Sequence, residues 1–213
     1  DGYVYRVDVN TMQTVAALQH HGYFEYENKA VNALCIHQDT HLLFTGGNDK
    51  KINVWDLRDN RHLKTLSGGH TDVINAVTIS SDGRTLASAS WDETLRLWQL
   101  PHGTPVAVLR GHTGRVIALA ISPDGKTLVS AGEDKTLRLW QLPQGTLGAV
   151  LKGHTDWVSA VVISPDGKTL VSASWDETLR LWQLPHGTPG PVLQGHTNFV
   201  TAVAIHPEGR MLV

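Results

Sequence analysis

Apolar positions in this chain come in short runs separated by turn residues, and residues 112–153 show the pattern. Arg115–Ile121 (RVIALAI) is apolar and β-branched, too short for a helix, and bounded by Ser122-Pro123-Asp124-Gly125. In that tetrapeptide Pro supplies a fixed φ and Gly tolerates a positive one, which predicts a turn. Thr127–Gly132 reads as a second strand and Glu133-Asp134-Lys135 as a tight connection. Thr136–Leu142 reads as a third strand, with Leu137, Leu139 and Gln141 on one face and Arg138 and Trp140 on the other. Pro143-Gln144-Gly145-Thr146 turns again, and Leu147–Leu151 forms a fourth strand before Gly153-His154. Four antiparallel strands in 42 residues make one small sheet.

The whole pattern recurs. ISPDGKTLVSA occupies 121–131 and 163–173, with ISSDGRTLASA at 79–89. His70, His112, His154 and His196 fall 42 residues apart, as do Trp98, Trp140 and Trp182. A fixed period of this size predicts an array of one supersecondary unit, since a single unit cannot bury its apolar faces alone. Radial repetition gives an all-β fold, a β-propeller of four-stranded antiparallel blades, which removes most exposed edges.

The Gly-His pairs (Gly69-His70, Gly111-His112, Gly153-His154, Gly195-His196) and the Trp near the end of each third strand make the chain resemble the WD-repeat family over nearly its whole length. Trp55-Asp56 is the one literal Trp-Asp pair, and Gln99, Gln141 and Gln183 hold that second position elsewhere. The resemblance implies a buried polar network in each blade: His70, Ser88, Asp92, Trp98; His112, Ser130, Asp134, Trp140; His154, Ser172, Asp176, Trp182; and a looser set, His21, Thr45, Asp49, Trp55. Such a network satisfies polar groups at the end of a sheet. On paper these sets look like hydrolase triads, but they recur once per blade, so they read as structure and no catalytic residue is expected. The near-identical units also resemble bacterial WD-repeat proteins with recently amplified blades, which implies a sensor or regulatory module.

The chain opens at strand three of a blade, since Asp1–Val7 aligns with Asp92–Trp98, and it stops inside strand two of another. Full blades are expected at 20–66, 67–109, 110–151 and 152–193, with residues 1–19 and 194–213 sharing a fifth, closing blade. That blade lacks only the counterpart of Ser172-Ala173-Ser174-Trp175, and Val7 stands where the others have Trp. WD-repeat propellers usually have seven blades, so an excerpt of a larger ring, or of a larger multidomain protein, is the competing account.

Function is sought where the repetition breaks. Trp91 and Trp175 immediately precede the network Asp, and Trp157 lies three residues past His154. In WD-repeat proteins the residues three and five past the His and one before the Asp commonly contact partners. By position these are Val73, Asn75 and Trp91; Arg115, Ile117 and Glu133; Trp157, Ser159 and Trp175; Phe199 and Thr201; and Asn32 and Asn48. Exposed aromatics clustered on one rim mark binding sites; the bland alternative is that they cover strand ends. His20–Lys29 is six residues longer than its counterparts and carries Tyr23, Phe24 and Tyr26, either as a binding loop or as a plug. The opposite rim repeats Pro-His-Gly-Thr and Ser-Pro-Asp-Gly turns, a monotony that suits specificity poorly.

Bulk properties narrow the partner class. A net charge of −2 and a pI near 6.7 give no general attraction to nucleic acid or anionic lipid. No two-Cys or His-x₃-His cluster suggests a metal, and no cofactor is expected. The lone Cys35 reads as a small core residue in a reducing, cytoplasmic compartment. No apolar run approaches a membrane span. The expectation is a non-catalytic scaffold that binds a protein or peptide segment on the Trp-rich rim. A carbohydrate-binding propeller is the alternative, because indole faces stack on sugars. The oligomeric state is not legible.

Overall fold

The computed structural model describes residues 3–7, 14–19, 30–66, 69–206 and 208, with side chains from Ala30 onward. The described secondary structure is all strand. After a two-stranded antiparallel sheet, β1 (Tyr3–Val7) and β2 (Thr14–Gln19), come four four-stranded sheets. Blade I is β3 (Val31–His37), β4 (Leu42–Gly47), β5 (Ile52–Asp56) and β6 (Arg61–Leu66). Blade II is β7 (Ile74–Ile79), β8 (Thr85–Ser90), β9 (Leu95–Gln99) and β10 (Thr104–Leu109). Blade III is β11 (Val116–Ile121), β12 (Thr127–Gly132), β13 (Leu137–Gln141) and β14 (Thr146–Leu151). Blade IV is β15 (Val158–Ile163), β16 (Thr169–Ser174), β17 (Leu179–Gln183) and β18 (Thr188–Leu193). Each sheet runs in chain order with antiparallel neighbours. The expected third strand Thr136–Leu142 is trimmed at both ends. Thr136 is tied into the preceding turn, its hydroxyl donating to Asp134 at 2.8 Å, and Leu142 leads into the next turn.

The first strands β3, β7, β11 and β15 lie side by side, so the blades stack in sequence. Blades II and III are therefore covered on both faces, and the core sits between neighbouring blades. One cluster joins Phe44, Ile52 and Val54 of blade I to Ile74, Leu86 and Trp98 of blade II. The next joins Ala87, Leu95 and Leu97 of blade II to Val116, Leu128 and Trp140 of blade III. A third joins Val129, Leu137 and Leu139 of blade III to Val158, Leu170 and Trp182 of blade IV. Trp98, Trp140 and Trp182 are thus the large side chains with which blades II to IV fill the face of the blade before them, while Trp55 packs on Leu43 and Leu57 of blade I. Cys35 is partly buried against the first cluster, and burial pushes its thiol up to about 12.

The far face of blade IV is less covered. Leu193 is 38% exposed, whereas its counterparts Leu109 and Leu151 are 4% and 5% exposed. Beyond it Val200 is buried and its amide donates to Ser174 O, but residues 201–204 form no strand and Ile205 makes a single bridge. Most of the segment expected to supply strand two of the closing blade, 207 and 209–213, lies outside the described residues.

Candidate functional site

The polar networks expected in blades II to IV form in full. Asp is an acceptor only, so His112 Nδ1–H donates to Asp134 Oδ2 (2.8 Å), which leaves Nε2 to accept from the Ser130 hydroxyl (2.7 Å). Ser130 Oγ in turn accepts the Trp140 Nε1–H (2.9 Å). The same relay joins Trp98, Ser88, His70 and Asp92, and again Trp182, Ser172, His154 and Asp176. In blade I, Trp55 Nε1–H donates to Thr45 Oγ1 at 3.0 Å and Asp49 Oδ1 accepts the Lys51 amide at 3.1 Å, while His21 lies outside the described residues. Each carboxylate takes two more donors that the sequence reading missed: the following Thr hydroxyl (Thr94, Thr136, Thr178) and the amide of the residue after the His (Thr71, Thr113, Thr155). Their 42-residue recurrence was the available signal.

These networks set the response to acid. Burial alone would raise Asp92, Asp134 and Asp176, but the bonds from His and Thr and the backbone amides hold all three below the usual carboxylate range, Asp176 at about 2. Burial holds His154 below its ordinary value, against the pull of Asp176. The signs agree. The carboxylates' contribution is complete above an unfolded value near ~3.9 and is lost as pH falls through the folded values, and the buried neutral His begins to cost stability below ~6.5. The urea midpoint is expected to decline gently below pH ~6.5 and steeply below ~4, with a shallower acid limb in Asp176→Asn.

The rim is built on a device repeated at every first hairpin. The pairing skips one residue between Val31 and Ala33, Ile74 and Ala76, Val116 and Ala118, and Val158 and Ala160. The bulged residues are Asn32, Asn75, Ile117 and Ser159, all expected rim positions, and a bulge re-aims its side chain out of the strand's alternation. Asn32 and Asn75 use that freedom to donate to the next blade, at Ile74 O (3.4 Å) and Ile117 O (3.0 Å). Ser159 Oγ bonds Val200 O at 2.5 Å. Ile117 has no polar group to offer, so the junction of blades III and IV does without this bridge.

In each blade the rim residue before the Asp is also clamped to the entry of strand one by a backbone bond. The amides of Asn48, Trp91, Glu133 and Trp175 donate to the carbonyls of Ala30, Val73, Arg115 and Trp157 at 2.9 to 3.0 Å. Side-by-side placement then fixes the ring contacts. Trp157 and Trp175 stack with centroids 4.4 Å apart, and Trp175 stacks on Phe199 at 4.7 Å. Arg115 lies over the Trp91 ring at 4.0 Å and pairs with Glu133 at 3.4 Å. The three Trp are half-buried, and Phe199 is 53% exposed.

Trp91, Arg115, Glu133, Trp157 and Trp175 surround a cavity of about 310 Å³, completed by Asn75, Ile117, Ser159 and Thr201. Nine of the expected positions, spread over more than a hundred residues of chain, thus converge on one concavity. The remaining ones do not enter it. Val73 is half-buried outside it, Asn32 and Asn48 bond each other at 2.7 Å on blade I, and Phe199 caps the aromatic stack from outside. Tyr23, Phe24 and Tyr26, with the insertion that carries them, lie outside the described residues. Among the described residues no group of three or more His, Cys, Asp or Glu is gathered as for a metal ion, and no helix is long and apolar enough to cross a membrane.

A family profile described as "WD domain, G-beta repeat" matches residues 12–56, 60–99, 103–141, 145–183 and 187–213. The chain is similar to the small ribosomal subunit protein RACK1 of Neurospora crassa, with 41% identity over 32% of this chain and 22% of that protein. It is 46% identical to guanine nucleotide-binding protein subunit beta-5b of Danio rerio, over 27% of this chain and 14% of that one. It is 38% identical to MST50-interacting protein 11 of Pyricularia oryzae, over 39% of this chain and 28% of that one. The matched region therefore spans less than a third of each relative.

Proposed function

This chain belongs to the WD-repeat family, and from that premise we propose that it is a non-catalytic scaffold binding a protein segment across its aromatic rim. The observation that carries the reading is the convergence of three half-buried Trp and an Arg–Glu pair from blades II, III and IV on one cavity. Half-buried aromatics and Arg in a concavity supply large contact area at low entropic cost, the usual make-up of an interface hot spot. The names of the similar proteins point the same way: a ribosomal subunit protein, a G-protein subunit and an interacting protein are each parts of assemblies.

The Ser-His-Asp sets support no enzyme. Ser88, Ser130 and Ser172 are fully buried, and each hydroxyl oxygen already accepts an indole N–H, so no substrate reaches them. A protein segment is also favoured over a sugar. Sugars stack on open indole faces, whereas Trp175 is stacked by both Trp157 and Phe199, and Trp91 is covered by Arg115. The reading extends to a sensor or regulatory module in the cytoplasm, where the single Cys35 stays a partly buried thiol. Affinity capture with the wild-type chain against a Trp91/Trp157/Trp175 triple Ala variant tests the proposal. Specific prey is expected on the wild type and lost from the variant. Prey retained by a folded variant, or binding only to glycans on an array, would overturn it.

A further inference from the structure

The opposite rim holds a larger cavity, about 520 Å³, between the Ser80–Arg84 turn of blade II and the Pro143-Gln144 turn of blade III. It is independent of the aromatic rim and shares no residue with it. Two cations line it, Arg84 and Lys126; neither side chain is held in a hydrogen bond among the described residues, and each lies within electrostatic reach of the carboxylate of its own turn, Asp82 and Asp124. The Gln99 and Gln144 carboxamides that join them are likewise unengaged. One carboxylate lines the cavity too, but Asp82 is bound back into its own turn, with Oδ1 accepting the Ser80 hydroxyl at 2.6 Å and the Arg84 amide at 3.0 Å. Asp124, bound back in the same way by Ser122 and the Lys126 amide, stays outside the lining, so the residues that face the cavity carry one excess positive charge together with free donors. Beside them stands an apolar wall of Val106, which is 49% exposed, with Leu142 and Pro143.

The repeat supplies an internal contrast. One blade further on, the same positions hold Lys126 and Lys168 in place of Arg84 and Lys126, but Gly148 replaces Val106 and His186 replaces Gln144. The cation pair recurs and the wall does not. Arg84 in place of Lys adds a planar fork of donors matched to a carboxylate or phosphate.

We infer that the groove between blades II and III binds a small organic anion, a carboxylate or phosphate group carried on an apolar body. The anionic group is held by Arg84 and Lys126, with Gln99 and Gln144 donating alongside, while the body lies on Val106 and Pro143. The volume lies within the range of small-molecule sites, about 300–1,000 Å³.

Calorimetric titration of the full chain with phenyl phosphate and with benzoate tests this and separates the two sources of charge, with inorganic phosphate as the anion lacking a body. At least one aryl anion is expected to bind, and inorganic phosphate about fivefold or more weaker. Arg84→Gln and Lys126→Gln are each expected to weaken the aryl anion by about fivefold or more. Val106→Gly should bring its affinity toward that of inorganic phosphate, and Lys168→Gln should change nothing. All four positions are on the surface, and unchanged melting temperatures would certify that the variants fold. Absence of binding by both aryl anions, equal binding in the Arg84 and Lys126 variants, or an equal loss in Lys168→Gln would overturn the assignment.

Discussion

Trp140→Ala is expected to lower the free energy of unfolding by about 3–5 kcal/mol, the range for truncating a large buried aromatic. Trp140 is 2% exposed and belongs to the cluster that fastens blade III to Leu97, Leu109 and Ala87 of blade II. Its removal empties the centre of a blade-to-blade interface and leaves Ser130 Oγ without its indole donor. In a stacked array, stability is roughly a sum of unit and nearest-neighbour terms, so the loss is not shared out over distant blades. Domains have only about 5–15 kcal/mol in hand, which brings the variant close to unfolding. Trp140→Phe separates the two contributions, because it keeps most of the ring and loses only the N–H, at a cost of about 1–3 kcal/mol. Urea unfolding with an unchanged m-value measures both. An Ala variant within ~1 kcal/mol of wild type would mean that the recurring Trp is not what joins the blades.

Trp175→Ala is expected to give the opposite phenotype from the same change of residue type: nearly unchanged stability and a partner affinity reduced by about 2 kcal/mol or more, some 30-fold. Trp175 is half-buried at the rim, outside the interblade clusters, with its ring stacked by Trp157 and Phe199. Truncation breaks the aromatic stack at its middle member and opens the cavity wall, while the backbone bond from its amide to Trp157 O survives. Affinity for the captured partner and the urea midpoint, measured on one preparation, distinguish the removal of a binding group from the loosening of a blade.

The strands were legible because their ends are marked by turn chemistry. Ser122-Pro123-Asp124-Gly125 closes β11, and Gly125 does take the positive φ of 71° that the turn requires. The polar networks were legible because their members recur at one spacing, and the rim pairs because Trp91, Trp157 and Trp175 interrupt that recurrence. What stayed hidden was what repetition cannot mark. A one-residue bulge at Asn75 or Ser159 leaves no compositional trace, yet it decides where these side chains point. A core that lies between blades is invisible to a reading made one blade at a time, so Trp140 read as a network member and not as the wedge between two sheets. The groove between blades II and III escaped notice because single substitutions, Val106 and Gln144 among them, set it apart from otherwise monotonous turns.

The seven Trp divide into four that are buried and three at the rim, so the chain carries its own internal control. With 5-fluorotryptophan incorporated, ¹⁹F spectra recorded with and without a captured partner report on every indole at once. Shifted or broadened resonances from Trp91, Trp157 and Trp175, with those of Trp55, Trp98, Trp140 and Trp182 unmoved, are the predicted result. Saturation by partner with the three rim resonances unchanged would contradict the account.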